Sequence, residues 1–234
     1  MGFVIFGGGG GIGAQVVRHL AESGHPVLAA GRTPPELESL ATCRQVDASD
    51  FEAVEALLLE AHSLFGVVQG VANCVGSILL RPAHLTSRSE LEATLTANLI
   101  TSFAVVRAAA RRMQEEGGAI VLMSSSAATL GLANHEAVAA AKAGVEGLVR
   151  SAAATYAGWN VRINAVAPGL VDTPLAASIT GRPSSLEAAR KLHPLARIGS
   201  ASEVARAVVF LLEQPWITGQ VLGVDGGLAR VRSR

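Results

Sequence analysis

Five consecutive glycines, Gly7 to Gly11, followed by Ile12 and Gly13, stand between a short apolar run, Phe3–Phe6, and an amphipathic segment that reaches Glu22. Glycines at such a junction let the backbone turn tightly out of a strand. They also bring N–H groups close to a phosphate or pyrophosphate at the start of a helix. A glycine run between two segments that each need burial is not a flexible linker. It predicts a strand–turn–helix unit built around an anionic ligand, and that unit sets the architecture of the remaining chain.

The rest of the chain keeps the same rhythm. Val27–Ala30, Val67–Ala72, Ala119–Met123, Val161–Val166 and Gln220–Val224 read as buried strands. Between them lie helix-period segments at Phe51–Leu64, about Ser89 to Glu115, Glu136–Tyr156 and Ala201–Leu212, with a short helix expected at Pro34–Ala41. Regular strand–helix alternation predicts an α/β protein with a doubly wound parallel sheet of Rossmann type, in three α/β/α layers. No internal repeat or linker divides residues 1–234, so one dinucleotide-binding domain is expected. The stretch from Asp172 to Arg197, with Pro174, Pro183 and Pro194, is the least regular and reads as a lid over a pocket.

Composition narrows the partners. The formal net charge is zero, the pI is near 7.0 and 16% of residues are charged, with no basic block to meet nucleic acid. Cys43 and Cys74 are too few for a disulfide framework and lack metal-ligand spacing, so no metal is expected. The long uncharged stretch His62–Leu80 carries Gln69, Asn73, Ser77 and three glycines, which reads as a strand with flanking turns rather than a membrane span. A cytoplasmic protein without membrane or nucleic-acid partners is the expectation.

The pattern Gly7-x-x-x-Gly11-Ile12-Gly13 resembles the nucleotide turn of the short-chain dehydrogenase/reductase family, and the resemblance runs along essentially the whole chain. Asn73-Cys74-Val75-Gly76 resembles the family's Asn-Asn-Ala-Gly after the fourth strand. Asn98 matches its helix asparagine, and Pro168-Gly169 with Val171 and Thr173 match the cofactor-side loop after the sixth strand. Val224-Asp225-Gly226-Gly227 matches the usual C-terminal ending. The resemblance implies a nicotinamide cofactor held by Gly7, Gly11, Ile12, Gly13, Asn73, Gly76, Lys142, Pro168, Gly169, Val171 and Thr173. Phe6 stands where the family usually has a threonine whose hydrogen bond braces the turn.

In the family an acid at the end of the second strand selects NAD. Here that strand ends Gly31-Arg32-Thr33, and a guanidinium can pair with a 2′-phosphate, so NADP is expected over NAD. A solvated loop arginine is the other reading of Arg32. Asp47 matches the residue that accepts from the adenine amino group; alternatively it is an acid at a helix start, near Asp50.

The family's chemistry uses a tyrosine as proton donor, a lysine that lowers its pKa and holds the ribose, a serine that positions the carbonyl oxygen, and an asparagine behind the lysine. By spacing these are position 138, Lys142, Ser125 and Asn98. Thirteen residues separate Ser125 from position 138 and four more reach Lys142, but position 138 is a valine. Tyr156, the single tyrosine, lies fourteen residues past Lys142. His135 would share a face with Val138 and Lys142 if the helix began early, and could then donate a proton; an exposed helix start is the plainer reading. Ser125 could equally serve a cap or turn, and Lys142 could be a surface lysine.

The resemblance therefore implies an NADP(H)-dependent oxidoreductase acting on a small carbonyl or alcohol substrate, with altered or slow proton delivery. The alternative is a catalytically impaired nucleotide-binding protein of the same fold, a redox sensor or assembly subunit. The alanine-rich segments Ser102–Ala110 and Ala137–Ala154 suit close helix packing between subunits, so a homodimer or homotetramer is expected; packing within one subunit would use them too. Leu175, Ile179, Leu186, Leu192 and Leu195 suggest a moderately apolar, neutral substrate.

Overall fold

The structure is a computed structural model, and it describes residues 1–231. In β1 (Gly2–Phe6) the side chains alternate between two cores: Phe3 and Ile5 join one cluster, Val4 and Phe6 the other. A strand that is apolar on both faces must lie inside a sheet covered on both sides. Its companions are β2 (Val27–Gly31), β3 (Thr42–Gln45), β4 (Val68–Asn73), β5 (Gly118–Met123), β6 (Val161–Pro168) and β9 (Val221–Val224). Together they form one seven-stranded sheet ordered β3-β2-β1-β4-β5-β6-β9, and every pairing is parallel.

Two helices cover the Phe3/Ile5 face. α1 (Gly11–Glu22) brings Val16, Val17 and Leu20, and α8 (Ala201–Glu213) brings Val204, Val208 and Leu211. On the opposite face lie α2 (Phe51–Phe65), α4 (Thr101–Arg112) and α5 (Glu136–Tyr156), with Val54, Leu58, Val105, Ala109, Val145 and Val149 buried against Val4 and Phe6. The predicted α/β/α layering and the Glu136–Tyr156 helix are as observed. The order of strands reverses between β1 and β4, and in such sheets ligands bind beyond the carboxyl ends of the strands at that reversal.

Three local expectations change. Pro34–Ala41 is not a helix: two adjacent prolines remove N–H donors, and only a single turn closes on the Leu37 carbonyl, through Leu40 N (2.8 Å) and Ala41 N (2.9 Å). The long helix divides into α3 (Arg88–Leu95) and α4, joined by a π turn at Thr96–Ile100. The segment from Asp172 to Arg197 is more regular than expected. It forms α6 (Ala177–Thr180) and α7 (Pro183–Leu192), with Pro183 in the first turn of α7, where its missing N–H costs nothing. A two-residue parallel pair, β7 (Val171–Asp172) with β8 (Gly199–Ser200), joins the two ends of this segment.

Candidate active site

The glycine turn forms a cradle at the β1/β4 reversal. Gly10 caps α1 without a side-chain hydrogen bond, and no acid lies in the first turn, so the helix's leading N–H groups have no side-chain acceptor. Gly7 has φ 72°, and a Cβ there would stand 2.9 Å from the Cys74 carbonyl carbon and from Val75 N. A Cβ on Gly13 would stand 2.1 Å from Gly7 O, and one on Gly11 2.7 Å from Thr173 Cγ2. Backbone on two sides, the Thr173 side chain on a third and the helix's leading N–H groups on the fourth fit a pyrophosphate. Thr173 also shows that the loop Pro168–Gly169–Val171 folds back onto the glycine turn, closing the cradle from the β6 side.

Phe6 supplies no side-chain hydrogen bond to the turn. It is buried in the core, and the turn is held by its own backbone: Gly10 N donates to Gly7 O (2.9 Å), Gly8 N to Ala30 O (3.0 Å) and Cys74 N to Phe6 O (2.9 Å). Asn73, by contrast, does not direct its amide into the cradle. Its Nδ2 donates to Thr101 Oγ1 and Ser102 Oγ, both at 3.3 Å, and its Oδ1 accepts from Val75 N at 3.2 Å. Asn73 thus fixes the Cys74–Gly76 turn to α4, leaving that turn's backbone to face a ligand.

At the outer end, Arg32 is exposed just past β2, and its carbonyl accepts from Gln45 Nε2 (2.9 Å). Asp47 is not a helix cap; Asp50 caps α2 through Ala53 N (3.0 Å). Asp47 Oδ1 accepts from Ser49 N (2.9 Å) and Ser49 Oγ (2.7 Å). Those bonds, and more weakly the Arg32 charge, hold its carboxyl below the usual carboxylate range. Arg32 and Asp47 thus lie near enough for the arginine's charge to act on the carboxyl.

Three serines follow β5, and the structure separates them. Ser124 is buried and donates to Glu146 Oε1 (2.8 Å), while Ser126 donates to Asp225 Oδ2 (2.9 Å). Ser125 is half-buried and accepts from Ala127 N (3.2 Å), which leaves its own O–H free to donate. The turn role expected of Ser125 is observed, and its hydroxyl is left able to donate to a ligand.

Lys142 is no surface residue: it is 6% exposed, and its Nζ donates to Met123 O (2.7 Å) at the end of β5. A Cβ on Gly76 would meet Asn98 Oδ1 at 3.1 Å and Lys142 Nζ at 3.5 Å, so these three groups share one small space. The π turn aims Asn98 inward, where its Oδ1 accepts from Ser77 N (3.2 Å) and its Nδ2 donates to Ser77 Oγ (3.0 Å) and Thr94 O (2.8 Å). Burial lowers the Lys142 pKa to about 8, partly countered by Cys74. Burial likewise pushes the Cys74 thiol up to about 12.

Val138 sits one turn before Lys142 on α5 and is 5% exposed. His135 does not join them. The helix begins at Glu136, and the His135 ring lies 2.8 Å from Ala133 O. Tyr156 packs on Trp159 at the far end of α5, with ring centroids 5.2 Å apart.

Sequence reasoning missed Glu146, Asp225 and His193. Glu146 follows Lys142 by one helical turn, a spacing that could have marked it. Asp225 lay in a recognised ending, but nothing in the sequence pairs it with Ser126.

The family described as enoyl-(acyl carrier protein) reductase matches residues 8–229. The chain is 38% identical over 238 residues to carbonyl reductase family member 4 of Danio rerio, with 96% of each covered. It is 34% identical over 235 residues to the 3-oxoacyl-(acyl-carrier-protein) reductase of Mus musculus, again with 96% of each covered. Among solved structures it is similar to ElxO with NADP bound, at TM-score 0.89 and 27% identity, covering 97% of this chain and 98% of that one. A Tyr→Phe variant of ElxO with NADPH bound gives TM-score 0.90 at the same identity and coverage. The chain belongs to the short-chain dehydrogenase/reductase family. Its class is that of nicotinamide-dependent oxidoreductases.

Proposed function

We propose that this chain is an NADP(H)-dependent oxidoreductase that transfers hydride between nicotinamide and a carbonyl or alcohol carbon, with Lys142 governing the proton in place of a tyrosine. One observation carries the reading. The buried Lys142 ammonium meets a carbonyl oxygen and, among the described residues, no carboxylate, while Val138 one turn earlier is apolar. A buried cation with so few partners is costly unless a ligand completes its set.

When bound, NADPH supplies the hydride. Ser125 donates to the carbonyl oxygen and fixes it beside Lys142. As negative charge develops on that oxygen, the Lys142 ammonium gives up a proton, directly or through one water, and the amine regains it from solvent. Asn98 and Gly76 shape the space that admits the water or ribose. Replacing a tuned tyrosine in this way is expected to cost on the order of 10² to 10⁴ in rate.

The exposed Arg32, with no acid at the end of β2, supports NADP over NAD. The Tyr→Phe variant of ElxO supports NADPH binding without that tyrosine's hydroxyl in a relative. The names of the relatives support a ketone or 3-oxoacyl thioester as substrate. The chain is proposed to work in the cytoplasm as a homodimer or homotetramer. The buried, apolar Val138 favours a second reading, a nucleotide-binding redox sensor or assembly subunit.

Fluorescence titration with NADPH and NADH comes first, then reduction of acetoacetyl-CoA and phenanthrenequinone. NADPH binding with turnover that Lys142→Met abolishes supports the enzyme. Binding without turnover, with turnover gained in Val138→Tyr, supports the sensor. No binding of either nucleotide sinks both.

A further inference from the structure

His193, at the end of α7, is 4% exposed, and both ring nitrogens are engaged. Nδ1 lies 2.7 Å from Ala189 O and Nε2 3.2 Å from Leu170 N. A carbonyl oxygen can only accept and a backbone N–H can only donate, so the ring is the neutral Nδ1–H form. One imidazole thus joins the lid helix to the loop after β6.

The surroundings are built for this ring. A Cβ on Gly169 would stand 2.5 Å from His193 Nε2 and 3.2 Å from the Asp225 Cα, so any side chain at 169 would unseat the ring. On the other side Gly226, at φ 60°, packs against the residue; a Cβ there would make ordinary contact with His193 Cβ and Cδ2, both at 3.8 Å. Backbone bonds tie the same three segments together: Gly169 N to Val224 O (3.2 Å), Leu195 N to Gly226 O (3.2 Å) and Gly199 N to Leu170 O (2.9 Å). The loop so fixed carries Thr173, which meets the glycine turn.

We infer that His193 is a positioning residue: it holds the Gly169–Thr173 loop in the shape that closes the cradle, and so makes cofactor affinity depend on how the lid helix α7 is seated. The inference rests on the proposed cofactor reading and adds to it the residue through which lid and cradle are coupled. The ring does not touch the reacting atoms. Its work is to keep the Leu170 N–H from turning into the pocket and to keep α7 from lifting.

The test compares the full-length wild type with His193→Gln and His193→Leu. An amide oxygen at 193 can still accept from Leu170 N, whereas leucine fills similar volume without a polar atom. NADPH affinity is read by fluorescence titration, and lid opening by the rate of limited proteolysis within residues 177–197, with and without NADPH. The expected result is at least a tenfold rise in Kd for His193→Leu, recovery to within about threefold for His193→Gln, and faster lid cleavage in the leucine variant that NADPH no longer suppresses. As a second route, Gly169→Ala weakens NADPH binding in the wild type and less so in His193→Ala, where the opposing ring is gone.

Kd for His193→Leu within twofold of wild type would overturn the inference. So would equal loss in the leucine and glutamine variants, which would mean that packing alone matters. If the wild type itself binds no NADPH, the proposed function fails together with the cofactor half of this inference. Unchanged lid cleavage in apo His193→Leu would then remove the other half.

Discussion

Thr173 and Gly11 meet across the mouth of the cradle, so closely that a methyl group on Gly11 would stand 2.7 Å from Thr173 Cγ2. Gly11→Ala must therefore push away the loop that carries Gly169 and Val171. The expected outcome is a loss of NADPH affinity of tenfold or more, with a melting temperature little changed, because α1 itself gains a better helix former. Parallel titration and thermal denaturation check it. Unchanged affinity would mean that the loop is not part of the cofactor site.

Arg32 is exposed and free to face a 2′-phosphate. Arg32→Ala is expected to weaken NADPH binding by about tenfold while leaving NADH unaffected, since a charge-assisted pair contributes on the order of 1–3 kcal/mol and this one is solvated. The ratio of the two dissociation constants is the measurement. Equal loss for both nucleotides would place Arg32 elsewhere.

Phe6 fills the core beneath the turn, and the turn is braced by backbone bonds. Restoring a threonine there, Phe6→Thr, is expected to cost about 2–4 kcal/mol through lost burial and to bring no gain in NADPH affinity. Urea denaturation with a parallel titration decides it. Tighter binding would show that the side-chain brace matters after all.

The Lys142 pKa, lowered by burial to about 8, predicts two pH effects. As proton donor, Lys142 must be charged, so the rate of carbonyl reduction falls as pH rises through about 8. Stability moves the other way at first. Between pH 8 and the ordinary value of 10.5 the unfolded chain binds the extra proton, so stability rises with pH by about 1.4 kcal/mol per unit. Cys74 is partly exposed as a residue but keeps its thiol desolvated, at about 12 against an ordinary 9.0. Above pH 9.0 the unfolded chain loses that proton while the folded chain keeps it, and stability is drawn down by a similar slope. The wild type should gain stability from pH 8 to 9 and then level off. Cys74→Ser should keep gaining towards 10.5. Urea midpoints across this range test the pair.

Val138→Tyr is expected to raise carbonyl reduction by 10² or more if Ser125, Lys142 and the cradle are otherwise in place, because a positioned general acid contributes about that much. The position is buried, so the variant should also melt lower. Steady-state rates normalised to folded protein separate the two effects.

The fold was legible because its signals are periodic. Alternation in Phe3–Phe6 and the helix period of Glu136–Tyr156 carry both burial and direction. The glycine turn, and the meeting of Asn98 with Lys142 beside Gly76, were legible through spacing. What sequence could not give depends on contacts between distant segments. Pro34–Ala41 has helix-like composition but lacks donors. Asn73 looks like a cofactor ligand until α4 claims its amide. His193 is one more residue in a proline-bounded segment until Leu170, Gly169 and Gly226 close around it.

The hydrogen bond from Ser126 to Asp225, with Gly169 N on Val224 O, has a consequence for how this protein is made. A ribosome delivers β1 and the glycine turn well before β9. Until β9 slots against β6, Ser126 and Gly169 lack their partners, and the seat of His193 has no far wall. The cradle's surroundings are therefore completed only once β9 has been made. A nascent chain stalled before Val224 would present an open sheet edge at β6 and little affinity for cofactor, a state that chaperones rather than NADPH would have to hold.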